Sequence, residues 1–171
     1  MKQKGQTLLE ILLAFSVSIL VLSAIVVGIT TSLSNTQYTK NQNLANSYAK
    51  EGMAVVRQIR DSSWTQFTTS YTTGVVYCVD QGSTKLTPAA GPPALCGQNV
   101  GIFSREVKFE HNSQSCCSNN DPSCTGGVKG SKGTVKVSWA DSKCPAGAAT
   151  PYCHKVELIT CFSNIDQRQA P

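Results

Sequence analysis

From Leu8 to Leu33 the chain runs for 26 residues with a single charged side chain, Glu10, and from Ile11 onward it has none. As a helix this stretch would reach roughly 39 Å, more than the ~30 Å apolar thickness of a bilayer. A helix that is apolar on every side has no stripe for water, so lipid or other helices must cover it. A short basic leader, MKQKG, precedes it. Lys2 and Lys4 are expected to stay on the cytoplasmic side, which exports the rest of the chain. A secretory signal peptide fits poorly, because its apolar stretch usually has ~7–15 residues and ends in a small-x-small cleavage site. A plain single-pass anchor accounts for the length and the flanks but not for Glu10. An acidic residue at the centre of a membrane helix costs up to about 2.5–3.5 kcal/mol, and an ionisable group in such a segment implies a partner.

The cysteines agree with export. All eight (Cys78, Cys96, Cys116, Cys117, Cys124, Cys144, Cys153 and Cys161) lie beyond the apolar run. An even count in the presumed exported part reads as a disulfide framework in an oxidising compartment. The rival is a metal site, with Cys116, Cys117 and Cys124, or Cys144, Cys153 and His154, as ligands. No CxxC pair occurs and the spacings match no zinc signature well, so disulfides are preferred and no metal or cofactor is expected. Cys144 and Cys153 flank one loop and are expected to pair. Cys116 or Cys117 is expected to close another loop with Cys124. Two adjacent cysteines reach different partners, so Cys78, Cys96 and Cys161 share the one that remains.

Charge excludes several functions. Fifteen Lys and Arg against ten Asp and Glu give +5, and charged residues make up 15% of the chain. Residues 62–171 hold nine basic and seven acidic groups, a net of +2. That balance argues against disorder and against nucleic-acid binding driven by overall charge. Lys129, Lys132, Lys136 and Lys143 form a cluster without aromatics, a weak footprint for DNA and better read as a solvated face. No GxSxG, P-loop, GxGxxG or EF-hand pattern occurs, and the two histidines, His111 and His154, stand apart. An enzyme is not expected.

Beyond Leu33 the chain turns polar without a proline. Tyr38, Leu44 or Ala45, Tyr48, Gly52, Val55, Val56 and Ile59 fall near one helical face. Arg57 and Arg60 suit the last turn, and Asp61-Ser62-Ser63 is expected to end the helix. Joined to the apolar run it would be roughly 55 residues and about 80 Å long. The rest reads as β-rich, with strands expected at Gly74–Val79, Ile102–Glu110, Gly133–Trp139 and His154–Phe162. Val135, Val137 and Trp139 alternate with Thr134, Lys136 and Ser138, while Val156, Leu158, Thr160 and Phe162 share one side. Loops fall at Pro88–Pro93, Asp121–Gly133 and Pro145–Pro151. The expected fold is α+β: a long N-terminal helix with a transmembrane first half, its second half laid on a small antiparallel sheet with disulfide-linked loops. The expected organisation is a leader at 1–5, an apolar helix at 6–33, an amphipathic helix at 34–63 and a β-rich extracellular head at 64–171.

Lys4-Gly5-Gln6-Thr7-Leu8-Leu9-Glu10, followed by the long apolar run, resembles the start of type IV prepilins and pseudopilins. The resemblance implies cleavage by a membrane prepilin peptidase between Gly5 and Gln6, then methylation of the new amine. Thr7, Leu8 and Leu9 match the second, third and fourth mature positions, and Glu10 the fifth. There the family's glutamate pairs with the N-terminal amine of a neighbouring subunit during assembly. Gln6 departs from the usual Phe or Met, and no proline interrupts the run, only Gly28. Residues Leu44 to Trp64, with Glu51, Gly52, Arg57, Arg60, Asp61 and Trp64, look like minor pilins more loosely. The implied role is a structural subunit, held in the cytoplasmic membrane and then built by an assembly machine into an extracellular filament. The alternatives are a pseudopilin of type II secretion or DNA uptake, or an anchored extracellular binding module. The implied partners are other pilin subunits, the peptidase, the assembly machinery and lipid; any ligand of the head, a surface or DNA, stays open.

A fragment from about residue 34 onward is expected to fold without the apolar helix and to depend on oxidation. Thiol titration of native protein checks this; eight free thiols would overturn it.

Overall fold

The computed structural model describes residues 4–90, 95–111, 116, 130–141, 144–145 and 151–164. The fold is α+β. Helix α1 covers Lys4–Ser62, helix α2 Trp64–Ser70, and five strands follow: β1 (Val76–Cys78), β2 (Thr87–Pro88), β3 (Ser104–Glu110), β4 (Ser131–Trp139) and β5 (His154–Phe162). The chain forms two compact units, one ending at Gln42 and the other beginning at Asn43. The first is the apolar part of α1. The second holds the last turns of α1, α2 and the sheet.

The sheet is wholly antiparallel, in the order β2-β1-β3-β4-β5. Its period-2 alternation sorts the side chains. Tyr77, Val107, Val135 and Leu158 form one cross-strand row, and Arg105, Val137 and Val156 the next, all on the face covered by α1. Ala45, Ala49, Met53 and Val56 recur at helical spacing and are buried against that face. Ala49 and Met53 extend the face expected from sequence, whereas Tyr38 stays exposed. A Cβ at Gly52 would stand 3.1 Å from both Arg105 Cδ and Val135 Cγ1, so glycine permits the close approach of α1 to the sheet here. At Gly133 a Cβ would come 2.7 Å from the Phe162 ring, which occupies that space itself.

Three details depart from the sequence reading. The segment after Ser63 is helical rather than part of a purely β head. Ser63 is extended, and its Oγ accepts from the Gln66 N–H at 3.2 Å, capping α2. The Ser63-Trp64-Thr65-Gln66 spacing is a capping-box pattern in the sequence. Helix α2 delivers the fully buried Phe67, whose ring meets those of Trp64, Tyr71, Phe109, His111 and Phe162. Strand β2 was not expected; Pro88 is tolerated because β2 is an edge. The expected strand Ile102–Glu110 begins later, at Ser104, because Val100 and Phe103 close a tight turn through Gly101, whose φ is +60°.

Arg105 has no exposed surface. Its Nε donates to the Val79 carbonyl at 2.9 Å, Nη2 to the Asp80 carbonyl at 2.9 Å and Nη1 to the Tyr48 carbonyl at 3.3 Å. Glu51 Oε2 lies 3.3 Å from Nη1. Asn99 ties the same strand end, its Oδ1 accepting from the Arg105 N–H at 2.7 Å. One guanidinium therefore joins α1, the end of β1 and β3.

Arg105→Met removes the guanidinium donors from the Tyr48, Val79 and Asp80 carbonyls, of which Val79 keeps Asn99 Nδ2 at 3.2 Å. It should lower the head's unfolding free energy by about 1–3 kcal/mol, read from urea unfolding followed by tryptophan fluorescence.

Candidate functional site

Gly5, Gln6 and Thr7 lie at the start of α1, which begins at Lys4. Beyond it the large apolar side chains from Leu8 to Leu33 are 52–71% exposed, on every side of the helix. Five of the six hydroxyls in this stretch bond to the helix's own carbonyls. Ser16 donates to the Leu13 carbonyl, Ser18 to Ala14, Ser23 to Ile19 and Thr31 to Val27, all at 2.8–2.9 Å. The helix is long and apolar enough to cross a membrane, by length and composition. Glu10 is exposed among Leu8, Leu9, Ile11 and Leu13, and it has no ion pair or hydrogen bond among the described residues. It is the one charged side chain between Leu8 and Leu33.

Among the described residues three disulfides form: Cys78–Cys96, Cys116–Cys161 and Cys144–Cys153. The expected Cys144–Cys153 pair closes the β4–β5 connection. Cys116 takes Cys161 on β5, leaving Cys78 for Cys96. Cys117 and Cys124 lie outside the described residues, as do Lys129 and Lys143.

The sheet face opposite α1 is polar. Cys78, Glu106, Lys136 and Glu157 form one cross-strand row. Lys136 Nζ lies 2.6 Å from Glu106 Oε2, and Lys132 Nζ 3.3 Å from Glu110 Oε2. Two of the four clustered lysines are therefore neutralised by carboxylates, which weakens a DNA footprint further. A cavity of about 320 Å³ opens on this face beside Leu95, Glu106, Lys136, Ser138, Tyr152 and Lys155. Burial pushes the Tyr152 phenol up from its ordinary value, and the Glu106 charge adds to that. Neither the buried Glu106 nor the cavity was visible in sequence; the cavity is lined by Leu95 and Tyr152, from separate loops, together with strand residues. Both histidines are partnered. His111 bonds the Ser131 hydroxyl through Nδ1 at 2.6 Å and the Tyr71 carbonyl through Nε2, and His154 Nε2 meets Asp141 Oδ2 at 3.0 Å.

No family model, curated protein or solved structure matches this chain.

The disulfides span 18, 45 and 9 residues. On the chain-entropy scale, paired Cys→Ser replacement should cost about 4 kcal/mol at Cys116–Cys161, about 3 at Cys78–Cys96 and about 2.5 at Cys144–Cys153. Thermal unfolding of the three double variants checks the ranking.

Proposed function

We propose that this chain is a structural subunit of a type IV pilus or a related filament, held in the cytoplasmic membrane before assembly. It acts by assembly and not by turnover. The observation that carries the reading is Glu10, a carboxylate without a partner among the described residues, in a stretch from Leu8 to Leu33 that is apolar on every side. Lipid can cover such a helix but offers a carboxylate nothing in its hydrocarbon region. A neighbouring subunit's N-terminal amine, released by cleavage between Gly5 and Gln6, would supply the counter-charge. In a bundle of such helices the same apolar surface that faced lipid faces neighbours, so extraction from the membrane exposes little of it to water. A compact head stapled by disulfides suits the outer side.

The reading orients Lys2 and Lys4 toward the cytoplasm and makes cleavage a precondition of assembly. An uncut chain would carry both cations into an apolar core, at a cost of several kcal/mol unless they are paired. A secretion or DNA-uptake pseudopilin shares this chemistry. An anchored binding module would need neither cleavage nor Glu10; the cavity beside Glu106 is the observation in its favour.

Intact mass of protein from sheared filaments should match a chain starting at Gln6. Gly5→Leu should leave uncut protein in the membrane. Glu10→Ala should insert and be cut as usual yet fall at least tenfold in filaments. Filaments built from chains that still begin at Met1, or normal incorporation of the Ala variant, would overturn the proposal.

A further inference from the structure

The outer face of the sheet carries a row of alternating charge that filament assembly does not use. Cys78, Glu106, Lys136 and Glu157 stand side by side on β1, β3, β4 and β5. Neighbouring strands lie ~4.8 Å apart, so carboxylate, ammonium and carboxylate follow one another at that interval. The Glu106 side chain is 4% exposed, and Lys136 Nζ at 2.6 Å is its one hydrogen-bonding partner among the described residues. A carboxylate can accept about four hydrogen bonds, so the buried Glu106 is left short of donors. It lines the cavity of about 320 Å³ and a second of about 150 Å³, which shares Glu106, Lys136 and Glu157 and adds Lys108 and Thr134.

Cross-links hold the walls. Cys78 is bonded to Cys96, whose neighbour Leu95 lines the larger cavity. Tyr152 lines it too, directly before Cys153 of the Cys144–Cys153 pair. Two disulfides thus fix one aliphatic and one aromatic side chain beside a polar floor. A wall ordered before the ligand arrives lowers the cost of binding.

We propose that this trough binds a neutral mono- or disaccharide. Among the described lining residues the charges cancel. Glu106 and Glu157 offset Lys136 and Lys155 in the larger cavity, and Lys108 and Lys136 in the smaller. His154, at the rim of the larger one, is matched by Asp141. An ionic ligand therefore meets no net field that draws it in. A ligand ammonium seeking Glu106 would meet Lys136 beside it, and a ligand carboxylate seeking Lys136 would meet Glu106. A hydroxyl escapes both conflicts, because the same oxygen donates to the carboxylate and accepts from the ammonium. A pyranose carries such hydroxyls around a ring whose C–H faces need apolar cover, and Tyr152 and Leu95 offer it. Ligand pockets span about 300–1,000 Å³, and this one, at about 320 Å³, takes a small occupant. The site does not rest on filament membership: it stands equally on a head carried by a filament or by a plain membrane anchor.

The test uses the full, oxidised chain in micelles of a detergent without a sugar headgroup. Glucose, galactose, N-acetylglucosamine and their methyl glycosides are titrated in. Protein aromatic protons are saturated, and transfer to the sugar protons is read by NMR. At least one of these sugars should bind with a millimolar or tighter Kd. Binding of its methyl glycoside as well marks a unit within a glycan, binding of the free form alone marks a free sugar, and both support the site. The amine and uronate counterparts of the bound sugar should bind about tenfold more weakly. Glu106→Gln, which removes the buried charge, should weaken binding about tenfold. Glu157→Gln and Tyr152→Ala, at less buried positions, should weaken it too, with thermal unfolding showing that each variant is folded. No transfer to any of the sugars, tighter binding of the amine or the uronate, or unchanged binding by folded Glu157→Gln and Tyr152→Ala would overturn the site.

Discussion

Arg105 carries a full charge into the contact between α1 and the sheet, and the surrounding backbone is arranged to meet it. A buried guanidinium is tolerable only when its donors find oxygen. Here the carbonyls of Tyr48, Val79 and Asp80 and the Glu51 carboxylate provide that oxygen. These groups come from a helix, a strand end and the loop beyond it, so meeting the one charge fixes where all three sit. Gly52 follows from the same contact. A methyl there would press on the Arg105 stem and on Val135, and the helix would have to lift.

Around this anchor the head solves a small-core problem. About 110 residues bury a modest apolar area, and much of it is aromatic: Phe67, Phe109, Phe162 and Trp139. Phe67 is central because edge-to-face contacts with Phe109 and Phe162 join α2 to β3 and β5. The Arg60 guanidinium, 5.3 Å over the Phe162 ring, seals one side of that cluster. The loops have little apolar surface to hold them, and disulfides do that work instead. Cys78–Cys96 ties down the segment before β3, and Cys116–Cys161 bonds the β3–β4 connection to β5.

The N-terminal part of α1 follows a different physical rule. From Leu8 to Thr31 its described hydroxyls bond to its own carbonyls, and Glu10 is the one charge. Such a helix is complete in its hydrogen bonds and incomplete in its packing. That combination suits a segment that exchanges one apolar environment for another, the use proposed for it here. A single carboxylate can set register between such helices, because an unpaired charge in an apolar bundle is costly.

Much of this was legible in the sequence because it rests on local rules. The apolar run, its lone carboxylate, the amphipathic second half of α1 and the alternation along β4 and β5 are matters of composition and period. So is the closing of the β4–β5 loop by Cys144 and Cys153, which are near neighbours in the chain. Helix α2 was also written in the sequence, in the Ser63–Gln66 spacing, but a seven-residue helix is too short for periodicity to reveal. What only the tertiary structure decided depends on groups distant in sequence. Arg105 reads as an ordinary strand cation until Tyr48, 57 positions away, is brought beside it. Glu106 reads as solvent-facing, yet it is buried beside a cavity that Leu95 and Tyr152 also line. Cys116 chooses Cys161 across 45 residues because β4 carries the two segments together. Periodicity tells a side chain which way to face; it says nothing of which distant group it will meet, because that depends on how the elements pack.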